Sequence, residues 1–380
     1  MDGAKFLYAR ALVLWRPLKN SKISERYLFM NKFIQAKFSA VHAFLCQNKL
    51  DGLLVTDFVD QFYLANFYFY KDEAIFLITP KKSYALTRGL YQKTFGKAAP
   101  FMHVIGDDGD RVQSVVKLIQ KLGLKKVGFD AAKEKYASGK LFAKHGLVEV
   151  SSFITHLRTT KDAQALKSLR AANRLAYLTY EYIKPRIKTG MAENEVAAEM
   201  EFFMRKHGAK CTSFFTIVAF GENTADPHYE TGTRKLQKED AVLLDFGCVI
   251  NGYCSDMTRS WWHGKKEPAQ YTKIWKIVDN ARKQGIKKAK IGVPCQQVDG
   301  VCRTLITQAG YGEFFTHGTG HGVGIEIHED PYNNQTSTYI LKEGNIVTVE
   351  PGIYLPGQYG VRLEDTVAIT KTGANILTKK

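Results

Sequence analysis

Short apolar runs of β type alternate with stretches of helical periodicity through the first third of the chain. The runs LLV, AIFLI and YALT lie between residues 50 and 87, and turn residues separate them. Apolar residues recur at helical spacing over residues 32–48 and 111–122. This alternation predicts an α/β unit whose sheet is mixed or mostly parallel.

The remainder of the chain contains one local pattern twice. The first copy, LQKEDAVLLDFGCVINGYCSDMTRS, spans residues 236–260, and the second, LKEGNIVTVEPGIYLPGQYGVRLEDT, spans residues 341–366. In each copy an apolar run of β type ends in a carboxylate nine residues after the leucine, at Asp245 and at Glu350. The repetition indicates an internal duplication.

Each copy continues with a second strand-like run that carries another carboxylate, Asp256 in the first and Glu364 in the second. A further repeat, K-x-G-[MV]-x-x-x-x-V, lies upstream of each copy, at residues 188–196 and 290–298. Two hairpins that each present a pair of carboxylates predict a shared metal site where the two halves meet.

The turn in the first hairpin fixes its register. Asn-Gly at residues 251–252 is a strong signal for a type I′ turn, because both central residues of that turn need φ > 0. With this loop, Asp245 pairs with Thr258, and Asp256 lies two residues away on the same face. Solvent-facing aspartates are the alternative, but the apolar surroundings make an unpaired carboxylate costly at these positions.

A third segment, HGTGHGVGIEIHEDPY at residues 317–332, contains three of the ten histidines. Its dense glycines also suggest a dinucleotide-binding loop, but the spacing does not follow G-x-G-x-x-G between a strand and a helix. Imidazole is a common ligand of first-row transition metals, whereas carboxylates alone favour magnesium, calcium or manganese. One histidine with four carboxylates therefore points to manganese first, with cobalt, iron or zinc as alternatives.

The combination LLDFG…YCSDMTRS, HGTGHGVG…HED, VEPGIY and VRLED resembles the metallopeptidase family that contains methionine aminopeptidase, prolidase and aminopeptidase P. The resemblance covers roughly the last 220 residues of the 380. It implies the duplicated α/β "pita-bread" fold for the catalytic domain. The prolyl-specific branch of the family is the closer match.

The resemblance implies five metal ligands, which are Asp245, Asp256, His321, Glu350 and Glu364. Asp256 and Glu364 would bridge two divalent ions. Asp245 would complete the shell of one ion, and His321 with Glu350 would complete the other. Creatinase shares the fold without a metal, and the complete ligand set of this chain argues against that variant.

Further residues acquire expected roles from the same resemblance. His228 and His328 are expected to hydrogen-bond the peptide and the developing oxyanion, and His317 is expected to contact the prolyl side. Glu350 would carry the proton from the nucleophile to the leaving nitrogen. The position of Arg362, two residues before Glu364, separately suggests that it orients the carboxylates from outside the ligand set. The other histidines are expected to be structural: His42, His103, His145, His156, His207 and His263.

The chain is expected to contain an extension of unclear role over residues 1–22, a domain similar to the creatinase/prolidase N-terminal domain over 23–157, and the catalytic domain over 158–380. No apolar run reaches the ~18 residues that a membrane span needs, and the N-terminus is too short in apolar residues for a signal peptide. The six cysteines show neither a disulfide framework nor zinc-ribbon spacing. A cytoplasmic protein is therefore expected.

The net charge of +17 is the feature that agrees least with a small-peptide hydrolase. Lysines cluster in residues 121–146 and 271–292, which we interpret as helices with a solvated basic face. The alternative is a nucleic-acid partner attracted through its phosphates. No helix-turn-helix, zinc finger or RNA-binding signature accompanies the charge.

The function implied by the resemblance is hydrolysis of the imide bond of Xaa-Pro dipeptides by a hydroxide that bridges two metal ions. The alternative is an Xaa-Pro aminopeptidase that removes the residue before proline from longer peptides. A third reading, from another class, is a non-catalytic relative that binds nucleic acid or protein through its basic surface. The expected partners are a peptide with proline in second position and a second copy of the chain in a homodimer.

Overall fold

The computed structural model describes residues 32–67, 73–107 and 109–379. The chain divides into two compact units between Leu157 and Arg158. The predicted extension over residues 1–22 lies outside the described residues. Among the helices of the described part, none is both long and apolar enough to cross a lipid bilayer.

The described residues of the first unit form a six-stranded mixed sheet. Its strands are β1 (Gly52–Val55), β2 (Ala74–Ile78), β3 (Ser83–Thr87), β4 (His103–Gly106), β5 (Val127–Asp130) and β6 (Val148–Val150). The helices are α1 (Lys32–Gln47), α2 (Phe58–Ala65), α3 (Gly89–Ala98), α4 (Arg111–Lys121) and α5 (Tyr136–Lys144), with α6 (Phe153–Arg158) at the division between the units. The strand order is β4-β3-β2-β1-β5-β6, in which β1 is parallel to β5 and antiparallel to β2.

Burial on both faces of this sheet explains its sequence pattern. Strands β1 and β2 are buried along their whole length, which is why LLV and AIFLI read as continuous apolar runs. Helix α1 contributes Ile34, Phe38, Val41 and Leu45 to the core, at the spacing of one helical face. The helices predicted over residues 32–48 and 111–122 and the mixed sheet are confirmed.

The second unit contains two similar halves. The first half consists of α7 (Ala163–Ile183), α8 (Glu193–Lys206), β7 (Ile217–Phe220), β8 (Asp240–Phe246), β9 (Val249–Ile250), β10 (Tyr253–Cys254) and β11 (Met257–His263). The second half consists of α9 (Ala269–Lys288), α10 (Cys295–Gln308), β12 (Gly320–Gly322), β13 (Glu329–Asn333), β14 (Ile346–Val349), β15 (Gly352–Leu355), β16 (Tyr359–Arg362), β17 (Asp365–Thr370) and β18 (Gly373–Ile376). Short 3-10 turns occupy Lys184–Arg186, Gly221–Ala225 and Gly312–Phe314.

Each half combines two helices, an antiparallel sheet and a small hairpin. The sheets have the orders β11-β8-β7 and β13-β12-β14-β17-β18, and the hairpins are β9–β10 and β15–β16. Helices α8 and α10 begin at the same offset from the lysine of their K-x-G-[MV] repeats. The internal duplication inferred from the sequence is therefore visible as two copies of one arrangement.

The first hairpin has the predicted register. Asn251 and Gly252 have φ values of 51° and 83°, so both central residues of the turn lie in the left-handed region. Thr258 of β11 pairs with Asp245 of β8. The turn thus aligns the strands that carry the first pair of carboxylates.

The second hairpin is aligned in the same way. Val349 of β14 lies opposite Asp365 of β17, and the same register continues with Gly352 of β15 opposite Arg362 of β16. The carboxylates of Glu350 and Glu364, which lie between these paired positions, are therefore held on facing segments of the chain.

Candidate active site

The five predicted ligands come together in one cluster of the second unit. One donor atom from each of Asp256, His321 and Glu364 lies within 4.8 Å of the other two. His321 Nε2 is 3.2 Å from Glu350 Oε1 and 3.5 Å from Asp256 Oδ2. Asp245 lines the same cleft. Four of the five side chains are buried, and that of Glu350 is partly buried.

His321 is oriented by the backbone around it. Its Nδ1 lies 3.0 Å from Gly322 O, so the Nδ1–H donates to that carbonyl and Nε2 points at the carboxylates. Its backbone N donates to Thr348 Oγ1 at 3.0 Å. The neighbouring Gly320 is required by this close approach, because a Cβ there would lie 2.1 Å from Thr348 O. The glycine-rich sequence thus brings the imidazole into the cluster.

The carboxylates of the cluster outnumber the cations beside them. Burial, followed by the charge of Glu364, raises the pKa of Asp256 well above its usual range. Burial, followed by the charge of Glu350, likewise raises the pKa of Glu364. Burial also acts to raise the pKa of Glu350, but the hydrogen bond and the charge of His321 outweigh it and lower that pKa to about 2.

Two buried carboxylate oxygens, Asp245 Oδ1 and Glu364 Oε1, have no hydrogen-bond partner among the residues that the structure describes. The other oxygens are satisfied, because Asp245 Oδ2 accepts from Arg362 Nη2 at 2.6 Å and Glu364 Oε2 accepts from Thr258 Oγ1 at 2.8 Å. Buried charged oxygens without partners are costly unless a cation binds them. Carboxylates with one imidazole suit a first-row divalent metal. The residues therefore fit a divalent-metal centre.

Arg362 links the carboxylates of the two halves. Besides Asp245, it contacts Thr258, whose Oγ1 accepts from Nε at 3.2 Å and donates to Glu364. Its Nη1 donates to the hydroxyl oxygen of Tyr354 at 2.9 Å. Burial acts to lower the pKa of Arg362, but Tyr354 and Asp245 outweigh it and raise that pKa well above its usual value. These contacts hold the guanidinium against Asp245, Thr258 and Tyr354.

The three predicted substrate histidines line one cleft of about 1020 Å³ together with the cluster. Burial lowers the pKa of His317, whose Nε2 lies 2.8 Å from the Tyr354 hydroxyl. His328 packs edge to face against His321 with ring centroids 4.3 Å apart, and burial followed by the charge of His321 lowers its pKa. His228 is exposed on the loop after β7. The six histidines expected to be structural lie outside the residues that line this cleft.

Helix α10 holds the segment of His317 through residues that the sequence analysis did not identify. Arg303 Nη2 donates to His317 O at 2.7 Å, and Arg303 is paired with Asp299 in the same helix. Asp299 Oδ1 accepts from both the backbone N and the Oγ1 of Thr319 at 3.0 Å. The i, i+4 spacing of Asp299 and Arg303 was the available signal, but it is common on helix surfaces.

The segment of His328 is held by a buried ion cluster that the sequence analysis also missed. Glu329 Oε1 lies 2.6 Å from Lys161 Nζ, and Oε2 lies 2.8 Å from Arg158 Nη2. Tyr354 was missed in the same way, although it belongs to the quoted motif VEPGIY. Glu329 and Tyr354 both lie within motifs that the sequence analysis quoted, but the residues that Glu329 contacts are distant from it in sequence.

Comparisons with known proteins find similarity to peptidases over nearly the whole chain. The profile of metallopeptidase family M24 matches residues 167–371, and the profile of the creatinase/prolidase N-terminal domain matches residues 37–160. An uncharacterized peptidase of Bacillus subtilis, YqhT, is 33% identical over 87% of this chain and 94% of its own length.

Two solved structures show the same similarity in three dimensions. The Xaa-Pro dipeptidase from Bacillus anthracis superposes with a TM-score of 0.87 at 34% identity, over 91% of this chain and 98% of that one. The X-Pro aminopeptidase from Thermotoga maritima MSB8 superposes with a TM-score of 0.81 at 28% identity, over 87% of this chain and 96% of that one.

Proposed function

This chain belongs to metallopeptidase family M24, with a creatinase/prolidase N-terminal domain ahead of a duplicated pita-bread catalytic domain, and we propose that it hydrolyses the imide bond of Xaa-Pro dipeptides. The observation that carries the proposal is the cleft in which His228, His317 and His328 surround the carboxylate–histidine cluster. Similarity to the Xaa-Pro dipeptidase from Bacillus anthracis supports the choice of dipeptides.

The proposed metal ligands are Asp245, Asp256, His321, Glu350 and Glu364, which together would hold two divalent ions. Manganese is the proposed metal because the donor set is rich in oxygen and contains a single imidazole. Ions bound there would polarise the scissile carbonyl and lower the pKa of a nearby water molecule.

Glu350 is the proposed proton carrier. The hydrogen bond and the charge of His321 lower the pKa of Glu350 to about 2, so the carboxylate is ionised at neutral pH and has a lone pair for the proton of the attacking water. In an Xaa-Pro bond the scissile nitrogen carries no hydrogen and has to gain a proton as it leaves. Glu350 would deliver the proton to this nitrogen. This assigns both proton transfers to one side chain.

The histidines would bind and polarise the peptide. Because the pKa of His328 is lowered, its imidazole is neutral at pH 7 and offers an N–H to the carbonyl oxygen as negative charge develops there. His228 would hydrogen-bond the peptide from the loop that follows β7. His317, held by its contacts with Gly318 O and the Tyr354 hydroxyl, would contact the prolyl ring.

A second candidate function is the removal of the residue before proline from longer peptides. The cleft of about 1020 Å³ has room for more than two residues, and among its described lining residues Arg362 is the one side chain with a permanent positive charge. Arg362 already contacts Asp245 and Tyr354, so it is poorly placed to bind the free carboxylate of a dipeptide. Similarity to the X-Pro aminopeptidase from Thermotoga maritima supports this alternative.

The basic charge of the surface does not distinguish the dipeptidase from the aminopeptidase. Lys273, Lys276, Lys283 and Lys287 are exposed along one face of α9, as expected for a solvated basic face. A non-catalytic nucleic-acid-binding protein would have no need for the five converging ligand side chains. A homodimer and a cytoplasmic location remain predictions from the sequence.

The test is hydrolysis of Ala-Pro against Ala-Pro-Ala with added manganese. Cleavage of the dipeptide that is lost in Asp256→Ala supports the dipeptidase, and a preference for the tripeptide supports the aminopeptidase. His263→Ala is a matched control for His228→Ala, because His263 lies outside the cleft and contacts Thr189 Oγ1. Failure to cleave either peptide with manganese, cobalt or zinc would refute both.

A further inference from the structure

Glu193 is a fully buried carboxylate at the start of α8, with 0% of its surface exposed. Its Oε1 accepts from the backbone N of Phe220 at 2.8 Å and from Asn223 Nδ2 at 2.9 Å. Its Oε2 accepts from the Tyr229 hydroxyl at 2.8 Å and from the backbone N of Gly232 at 3.3 Å. One side chain thus joins the end of β7 to the loop that follows it.

That loop carries His228, one of the proposed substrate contacts. The residue before it is anchored, because Pro227 O accepts from Arg362 Nη1 at 3.2 Å. The residue after it is also anchored, because the Tyr229 hydroxyl donates to Glu193. His228 itself is exposed to the cleft, so these contacts on either side determine where its ring can lie.

The chemistry of these contacts requires a carboxylate. Each partner of Glu193 donates, and an ionised carboxylate is an acceptor only. Burial, followed by the hydrogen bond to Glu193, raises the pKa of Tyr229 to about 12, which keeps its hydroxyl protonated as a donor. A glutamine has the same shape but replaces one oxygen with an NH₂ group, so one pair of donors would lose its acceptor.

The duplication offers an internal comparison. The position that corresponds to Glu193 in the second repeat, counted from the lysine of the repeat, is occupied by Cys295. Cys295 is buried as well, so burial alone does not require an acid at this point of the helix. The carboxylate therefore serves a need of the first half, where it anchors the loop that carries His228.

We propose that Glu193 is a positioning residue that holds the loop of residues 226–232 so that His228 faces the substrate. The part of this inference that concerns catalysis rests on the proposed function. The anchoring of the loop does not depend on it and can be measured without substrate.

The first measurement is backbone hydrogen exchange in Glu193→Gln. Exchange over residues 226–232 is expected to accelerate about tenfold or more, while strand β8 keeps its protection. Glu195→Gln is the matched control, because Glu195 lies in the same first turn and contacts the backbone N of Ala192 instead of the loop. Unchanged exchange over residues 226–232 would overturn the proposal. Where Glu193→Gln does not fold, Tyr229→Phe removes one of the anchors and serves the same test.

The second measurement is a double-mutant cycle on peptide hydrolysis. Glu193→Gln is expected to lower kcat/KM up to about 100-fold, the loss that a misplaced group near 1 Å out of position can cause. In a His228→Asn background the same change should cost less than about twofold, because its target is already gone. Equal losses in both backgrounds would reduce Glu193 to a merely structural residue. If the wild type cleaves no peptide, the proposed function fails and hydrogen exchange alone decides the role of Glu193.

Discussion

Replacing Glu329 with glutamine should destabilise the catalytic domain strongly. The carboxylate contacts Lys161 Nζ at 2.6 Å and Arg158 Nη2 at 2.8 Å, and the three side chains are 5%, 3% and 2% exposed. Arg158 also contacts Glu326 Oε2 at 2.6 Å, so it keeps an anion after the substitution. Lys161 loses the anion that contacts its ammonium group and is left buried.

The expected loss of stability follows from this difference between Arg158, which keeps an anion, and Lys161, which does not. Removing one partner of a buried ion pair costs about 3–5 kcal/mol, because the other charge stays uncompensated. We expect about 3 kcal/mol for Glu329→Gln, since Arg158 remains paired and Lys161 can release its proton. Lys161→Met should cost less, about 1–2 kcal/mol, because Glu329 keeps Arg158. In the double variant the two costs should not add, with a coupling energy of about 1–3 kcal/mol.

The pH dependence has a definite sign. Burial is the largest influence on the pKa of Lys161 and lowers it, even with Glu329 beside it. The unfolded value is about 10.4, so between the two values the unfolded chain binds more protons and stability rises with pH. Loss of Glu329 lowers the folded pKa of Lys161 further. The deficit of the variant should therefore shrink as the pH rises from 7 towards 10.

At acid pH the titrating group is Glu329 itself, which only the wild type contains. Burial acts to raise the pKa of Glu329, but Lys161 and Arg158 outweigh it and lower that pKa. The stabilisation by this carboxylate is thus fully present above its unfolded pKa of about 4.3 and is lost as the pH falls through the folded value. Because glutamine does not titrate, the advantage of the wild type should disappear in strong acid.

Guanidinium unfolding followed by tryptophan fluorescence measures these differences. Three of the four tryptophans, Trp261, Trp262 and Trp275, lie in the second unit, so most of the emission reports on the domain that contains the substitution. Glu326→Gln is the matched control, because its side chain is 38% exposed and its loss should cost less than about 1 kcal/mol. A cost below about 1 kcal/mol for Glu329→Gln, or a deficit that does not change between pH 7 and 10, would refute this account of the ion cluster.

Other substitutions and treatments have equally specific outcomes. Chelation should lower the melting temperature, and added manganese should restore it in a thermal titration. Asp256→Ala should abolish both this shift and the hydrolysis. Tyr354→Phe should lower kcat/KM about tenfold through loss of its contact with His317, and an unchanged kcat/KM would refute that link. In the native protein Ellman's reagent should label Cys46 and Cys211, because the other four cysteines are buried and burial raises their thiol pKa values. Labelling of more than two thiols before unfolding would contradict this expectation.

The parts of the site that could be predicted from sequence are those that local rules determine. The Asn-Gly turn fixes the register of its hairpin, and the register places Asp245 opposite Thr258. The second pair of carboxylates was found because its segment repeats the pattern of the first. In both cases the relevant information lies within about 25 residues of sequence, a range over which turn chemistry and strand periodicity decide the geometry.

The parts that could not be predicted depend on contacts between distant segments. Arg158 and Glu329 are 171 residues apart in sequence, and Asp245 and Arg362 are 117 residues apart. Nothing in the local pattern around a charged residue states whether it is solvated or buried against a partner. Arg362 could be proposed because it lies two residues before the predicted ligand Glu364. No such neighbour pointed to Glu193, whose partners are backbone groups, an asparagine and a tyrosine.

The electrostatics of the cluster assign different tasks to residues of the same type. Asp256 and Glu364 are buried among other carboxylates, and their raised pKa values favour protonation unless a cation neutralises them. Glu350 adjoins His321 and stays ionised at neutral pH. Environments that push the pKa values of neighbouring acids apart commonly separate their chemical roles. Proton transfer therefore suits Glu350, whose charge His321 stabilises, whereas Asp256 and Glu364 are the carboxyl groups that most need a cation. Metal binding at this site should accordingly displace protons from Asp256 and Glu364.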